Sequence, residues 1–146
     1  MLRKISKSED EWKEVLSPDQ FRIMRLKKTE LPFSGEYLSV DEEGIYRCVA
    51  CGNRLFSSKA KYDSGTGWPS FCEAFNEGHI ELGIYSSHGT EVMCGQCGAH
   101  LGHVFEDGPE PTGKRYCINS AALRLDNSVR EYSGKSDRED YYGTPA

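Results

Sequence analysis

Two short stretches, Cys48-Val49-Ala50-Cys51-Gly52 and Cys94-Gly95-Gln96-Cys97-Gly98, decide how this chain folds. Each is a C-x-x-C-G knuckle. One tight turn presents two thiols, and the glycine after it allows the backbone conformation the turn requires. Two such pairs surround one tetrahedral ion, and the expected ion is zinc. A shell closed by four protein ligands leaves no open position, so zinc on Cys48, Cys51, Cys94 and Cys97 is structural rather than catalytic. The competing reading of each knuckle is a redox dithiol of the thioredoxin type. That motif belongs at a helix start in a βαβ setting, which neither knuckle has. Forty-two residues separate the knuckles, more than a minimal zinc ribbon holds, so the metal joins two hairpins distant in sequence. Metal binding contributes about 10 kcal/mol or more of folding free energy in small domains.

Around the knuckles the chain reads as short strands between glycine turns. Thirteen of the 15 glycines lie between residues 31 and 125. The β-rich runs are Ile45–Arg47, Asn53–Phe56, Ile80–Leu82, Thr90–Met93, His103–Phe105 and Arg115–Asn119. This predicts a mainly β fold of antiparallel sheets.

Residues 1–30 differ. Ser8 followed by Glu11 fits a capping box, and Trp12, Val15 and Leu16 fall at i, i+3, i+4. Ser17-Pro18-Asp19 ends that helix and starts another, with Phe21, Ile23, Met24 and Leu26 on its turns. The expectation is a short helical lead-in packed as a cap on the β body. Residues 126–146 are polar and acidic with few apolar anchors, and read as a flexible tail. The expected organisation is one domain over 1–125, the helical lead-in included, and a tail over 126–146.

Composition narrows the partners. Lys and Arg total 18 against 23 Asp and Glu, a net charge of −5. An acidic body without a basic aromatic stripe argues against nucleic acid. Mean hydropathy is −0.64 and no apolar run approaches the ~20 residues of a membrane span. The polar start after Met1 shows no apolar signal segment, so a cytoplasmic location is expected.

Two cysteines remain beyond the knuckles. On a strand over Arg115–Asn119, Arg115, Cys117 and Asn119 share one face. A cation beside a thiol favours the thiolate, so Cys117 is either a reactive nucleophile or an inert buried cysteine. His100 and His103 would point to opposite faces of a regular strand, unless a bulge at Gly102 brings them together. Asp107 is either an orienting carboxylate or a turn residue. Trp68, in the rigid Ser64-Gly65-Thr66-Gly67-Trp68-Pro69-Ser70-Phe71 turn, is either core or the wall of a small apolar pocket.

These motifs, with Gly98-Ala99-His100-Leu101-Gly102-His103-Val104-Phe105-Glu106-Asp107-Gly108 and Arg115-Tyr116-Cys117-Ile118-Asn119-Ser120-Ala121, resemble the methionine sulfoxide reductase B family. With the helical lead-in they cover residues 10–125 in the family's order. The resemblance implies two antiparallel β-sheets and an enzyme that reduces the R epimer of methionine sulfoxide. It implies Cys117 as nucleophile and Trp68 as the wall for the substrate methyl group. It places His100, His103 and Asn119 around the sulfoxide oxygen, and Asp107 and Arg115 as supporting residues. A sulfoxide sulfur is electrophilic once its oxygen is protonated, and an imidazole is a suitable proton donor. Cys117 then attacks, with His103, assisted by His100, as the proton donor, and ends as a sulfenic acid.

The chain departs from the family at one place. Many members carry a resolving cysteine in the Gly-x-Gly turn, where this chain has Thr66. Cys72 is the remaining thiol: a filler between Phe71 and Phe75, or a resolving cysteine reached by loop movement. Otherwise an outside thiol reduces the sulfenic acid. Thioredoxin is the family's usual reductant. A monomer is expected.

Overall fold

In the computed structural model, residues 3–128 are described. The lead-in forms two helices of seven residues each, α1 (Glu9–Val15) and α2 (Pro18–Met24). Both begin in a complete capping box. Ser8 accepts from the Glu11 amide while Glu11 accepts from the Ser8 amide, and Ser17 and Gln20 repeat the exchange. Helices this short are marginal alone, so packing must hold them. Trp12, Phe21, Ile23 and Met24 are buried in the common core, with the Arg25 guanidinium 4.9 Å from the Trp12 ring. Truncating Trp12 to Ala should cost about 3–5 kcal/mol. Val15 and Leu26 are exposed, so the stripe is narrower than the periodicity implied.

Nine strands follow among the described residues. A three-stranded antiparallel sheet has the order β2-β1-β9, with β1 Ile45–Cys48, β2 Arg54–Ser57 and β9 Leu123–Asp126. A six-stranded antiparallel sheet has the order β3-β4-β8-β7-β6-β5. Its strands are β3 Lys61–Tyr62, β4 Ser70–Phe71, β5 Ile80–Ser86, β6 Gly89–Cys94, β7 His100–Phe105 and β8 Arg115–Ile118. The expected fold, two antiparallel sheets behind a helical lead-in, is the observed one. Phe56 of the small sheet stacks on Phe71 of the large one at 4.4 Å, and Tyr46 meets Phe71 edge-on at 5.3 Å.

The structure departs from the sequence reading at the ends of two strands. β9 completes the small sheet, so Asp126 belongs to the β body rather than to the tail. Its side chain pairs with Arg47 at 2.7 Å. The rest of the expected tail, from residue 129, lies outside the described residues. β8 ends at Ile118, and Asn119 turns out of the strand to begin a single 3-10 turn over Ser120–Ala122.

Candidate active site and metal centre

The knuckles are built alike. In the first, the Cys48 amide bonds the Asn53 carbonyl and the Gly52 amide bonds the Cys48 carbonyl. In the second, the Cys94 amide bonds the Ala99 carbonyl and the Gly98 amide bonds the Cys94 carbonyl. Gly52 at φ +85 and Gly98 at φ +76 adopt the left-handed conformation each turn needs. The first knuckle joins β1 to β2 in the small sheet, and the second joins β6 to β7 in the large one. Their four sulfurs lie within 4.8 Å of one another. Cys48 and Cys97 are 3.8 Å apart, Cys51 and Cys94 3.6 Å. A disulfide needs about 2.05 Å. A tetrahedron of sulfurs about 2.3 Å from a central ion has edges of about 3.8 Å, so the donor set fits a metal. Asn53, not singled out in the sequence, donates its amide to Cys94 Sγ at 3.3 Å and to the His79 carbonyl at 2.8 Å. Such outer hydrogen bonds orient metal ligands.

The second constellation is a row across the large sheet. Register sets Ser70 of β4 opposite Cys117 of β8, Cys117 opposite His103 of β7, and His103 opposite Glu91 of β6. Directly opposed residues share a face, so these four side chains rise from one side of the sheet. His100 joins them through a bulge. Val92 pairs with Gly102 and Met93 with His100, which leaves Leu101 as the extra residue. The bulge lies one residue before the expected Gly102, but its effect is the expected one. The His100 and His103 rings meet edge-on at 5.5 Å. Gly102 serves the sheet in another way. A Cβ there would lie 2.1 Å from the Cys117 carbonyl oxygen, so a glycine lets β7 and β8 approach.

A cavity of about 520 Å³ opens over this row. Cys117, His103, Trp68, Asn119, Phe105 and Lys27 are among the residues lining it. Trp68 is therefore a wall, not core, and its indole donates to the Glu30 carbonyl at 3.0 Å. Asn119 lines the cavity but its amide is largely committed: Oδ1 accepts from the Glu30 amide, and Nδ2 donates to the Leu101 carbonyl. One amide N–H is left to face a ligand. His100 does not line the cavity. It is 3% exposed, with Nδ1 2.8 Å from Glu91 Oε2. Asp107 and Arg115 lie outside the lining and pair with each other at 2.8 and 3.1 Å. The guanidinium also covers the Phe105 ring at 4.2 Å.

Burial pushes the Cys117 thiol above its ordinary value, while Thr66 and Arg115 pull it back down. Arg115 thus acts in the expected sense, but burial prevails. Thr66 Oγ1 lies 3.8 Å from Cys117 Sγ. It belongs to a hydroxyl chain, Thr66 to Ser64 at 2.8 Å and Ser64 to Ser70 at 2.7 Å, which ends on the Trp68 carbonyl. Burial also lowers His103, and the neighbouring His100 adds to that. Cys72, directly after β4, is half-buried and held through its backbone: its amide bonds the Ala60 carbonyl, and its carbonyl accepts from Thr112.

Sequence reasoning missed two carboxylates. Glu30 accepts from the amides of Ser120 and Ala121 and fixes the turn behind Cys117. Glu91 holds His100. Neither lies in a motif, and only the three-dimensional fold places them at the site.

A model of the SelR domain matches residues 16–127. Among similar proteins is a peptide methionine sulfoxide reductase MsrB of Methanosarcina barkeri, 51% identical over 92% of this chain and 95% of its own. A second, from Bradyrhizobium diazoefficiens, is 56% identical over 84% and 91%. The methionine-R-sulfoxide reductase B2, mitochondrial, of Danio rerio is 54% identical over 79% of this chain and 69% of its own. With the sequence motifs, the fold and these matches in agreement, the chain belongs to the SelR-domain family of B-class methionine sulfoxide reductases.

Proposed function

We propose that the chain reduces the R epimer of methionine sulfoxide, in proteins or peptides and as the free amino acid, to methionine. The observation that carries this reading is the alignment of Cys117 and His103 side by side under a cavity walled by Trp68. A nucleophile, a proton donor and an apolar wall meet in one place large enough for a methionine side chain.

Cys117 is the nucleophile. Its thiolate attacks the sulfoxide sulfur, and His103 delivers a proton to the oxygen, with His100 behind it. The oxygen passes to the cysteine sulfur. The sulfoxide gains two electrons and leaves as methionine, and Cys117 is oxidised to a sulfenic acid. Thr66 and Arg115 favour the thiolate that burial disfavours. Asp107 orients Arg115 through the two-pronged pair, and Asn119, held by the Leu101 carbonyl, stands beside the sulfoxide oxygen.

The sulfenic acid then condenses with a thiol, releasing water, and a second thiol restores Cys117. Thr66 cannot supply the first thiol. Cys72, held through its backbone by Ala60 and Thr112, is the candidate within the chain. The other route uses an outside reductant, thioredoxin or another thiol. Non-reducing peptide mass spectrometry after oxidation separates the routes, because a 72–117 disulfide would show Cys72 to be the resolving residue.

One structural zinc ion on Cys48, Cys51, Cys94 and Cys97 ties the sheets together. Reduced thiols suit the cytoplasm, and none of the helices among the described residues is long and apolar enough to cross a membrane. The working unit proposed is the monomer, without nucleic acid.

The test is methionine release in a single turnover, without reductant, from separated R and S epimers of a methionine sulfoxide peptide. About one equivalent from R and none from S is expected from the one nucleophile. No release from folded, metal-loaded protein would reduce the site to a scaffold.

A further inference from the structure

Glu91 lies in none of the motifs described above, yet it stands at the end of the row that contains Cys117 and His103. It is opposite His103 in the sheet register and accepts from His100 Nδ1 at 2.8 Å. Its carboxylate side chain is 14% exposed, and Lys27 Nζ lies 3.5 Å from its other oxygen. Lys27 sits in the left-handed region at φ +62, a conformation a lysine seldom adopts, and lines the same cavity as Cys117. On the far side of the His100 ring, Nε2 is buried and has no hydrogen-bond partner among the described residues. A buried polar nitrogen without a partner is unusual and calls for a role.

We propose that Glu91 is a positioning residue for the reaction: its carboxylate accepts from His100 Nδ1 and so fixes that ring against His103, and it supplies the counter-charge that favours a protonated His103 beside Cys117. This rests on the reading that His103 delivers the proton to the sulfoxide oxygen.

The electrostatics around the pair favour this role. Burial and mutual repulsion both work against a charged imidazole, and they lower His103. His88, across the cavity, lowers it further, and Glu91 opposes all three. From the loop after α2, Lys27 reaches Glu91 rather than the imidazoles. On α2 itself, Arg22 is paired with Asp19, and Arg25, which follows it, is bonded to the Cys97 carbonyl and stacked on Trp12. From β8, the Cys117 thiolate would be a second negative neighbour only once formed. Glu30 acts on Cys117 from behind, and Glu91 is the anion that acts on His103. Burial disfavours its charge, but the His100 hydrogen bond and Lys27 outweigh that and hold it below the usual carboxylate range.

The two neighbours of Glu91 give variants with opposite signs. In E91Q the amide oxygen still accepts from Nδ1, so the ring stays fixed while the counter-charge is lost. In K27N the carboxylate stays and its competing cation goes, and asparagine tolerates the left-handed backbone. The experiment follows the histidines by nitrogen and carbon NMR in metal-loaded protein. It is run beside the pH profile of single-turnover methionine release.

E91Q should move the titration of His103 down by about one pH unit or more, the usual effect of removing an opposite charge at this range. The alkaline limb of the rate profile should move with it. A midpoint one pH unit lower leaves about tenfold less imidazolium above it. K27N should move both the other way by a smaller amount, and E91D should recover part of the loss.

An unchanged histidine titration in folded E91Q, or K27N moving in the same direction as E91Q, overturns the proposal. So does a shifted titration with an unmoved rate profile. His103→Gln measured alongside separates this inference from the one beneath it. A slow His103→Gln with an unmoved E91Q profile faults Glu91 alone, whereas an unaffected His103→Gln faults the proton-donor assignment as well.

Discussion

The molecule contains two places where cysteines matter, and they are built in opposite ways. At the knuckles four sulfurs crowd within 4.8 Å, three of the four cysteines are buried, and the donor set closes on itself. At the pocket a single sulfur, Cys117, is half-buried beside a cavity, with a hydroxyl, a guanidinium and an imidazole about it. The first arrangement leaves nothing for a substrate to touch. The second leaves the sulfur one open direction and surrounds the others with groups that set its charge. On the function proposed above, the same side chain serves as a staple in one place and as a reagent in the other. The difference lies in the number of neighbouring thiols and the access.

The largest effect should come from opening the staple. Each sheet contributes one knuckle, and the small sheet has only three short strands, so removing the metal should cost about 10 kcal/mol or more, the usual scale for structural zinc. Chelation under denaturing conditions, or Cys94→Ser, should leave a chain without a cooperative thermal transition. Metal analysis should give one zinc per folded chain. A metal-free chain melting at the same temperature would show that the core alone holds the sheets together. Cys117→Ser should do the reverse. Methionine release should vanish, while stability stays within about 1 kcal/mol, because one atom changes at a half-buried site. The two substitutions together test whether the division between staple and reagent is real.

How much of this division was visible in the sequence depends on distance along the chain. The knuckles are local: four residues and a glycine specify each turn, and pairing the two needed only the count of thiols. The capping box at Ser8 is local as well, and it is formed; the one at Ser17 emerged only with the structure. The candidate site is not local. Cys117, His103 and Trp68 were reached through motifs, but Glu91 and Glu30 were not. Glu91 sits in Thr90-Glu91-Val92-Met93, where alternation makes it a polar outward residue like any other. Its meaning depends on the one-residue bulge at Leu101, since a regular β7 would put His100 on the other face. β9 escaped for a related reason. Leu123-Arg124-Leu125-Asp126 is too short to stand out beside a polar tail, and it is a strand only because β1 offers it an edge.

A subtler comparison sets Thr66 against the knuckle cysteines. The hydroxyl lies 3.8 Å from Cys117 Sγ, a separation like those within the metal cluster, yet it cannot form a disulfide. Its effect is to favour the thiolate. Thr66→Val keeps the shape and removes the hydrogen bond, so the Cys117 titration should rise. A hydrogen bond to a charged group is worth about 1.5–3 kcal/mol, and about 1.36 kcal/mol corresponds to one pH unit. Partial exposure and the long sulfur distance place the expected rise at the low end, about one unit. Iodoacetamide alkylation followed against pH measures it: the curve for Thr66→Val should lie to the alkaline side, with slower labelling at neutral pH. Thr66→Ser should restore the wild-type curve. Coincident curves for all three proteins would leave Arg115 as the group that offsets burial.

The smallest effect tests what holds the small sheet apart from its metal. Asp126 closes β9, paired with Arg47 and hydrogen-bonded by Ser128. The Ser128 hydrogen bond is the leading cause that lowers its carboxyl to about 2, with Arg47 adding to it. A carboxyl with a folded value below its ordinary one contributes stability that is present above the ordinary value. That contribution is lost as the pH falls toward about 2. Asp126→Asn should therefore lower the melting temperature slightly near neutral pH, and the gap from wild type should close as the pH falls. The pair is near the surface, so the gap should be small and should shrink in high salt. Knuckle cysteines must also release protons to bind metal, so metal loss in acid follows its own, steeper curve. The difference between Asp126→Asn and wild type isolates the edge contribution, because both proteins lose metal alike. A gap that does not depend on pH would mean that Asp126 acts through backbone contacts of β9 rather than through its charge.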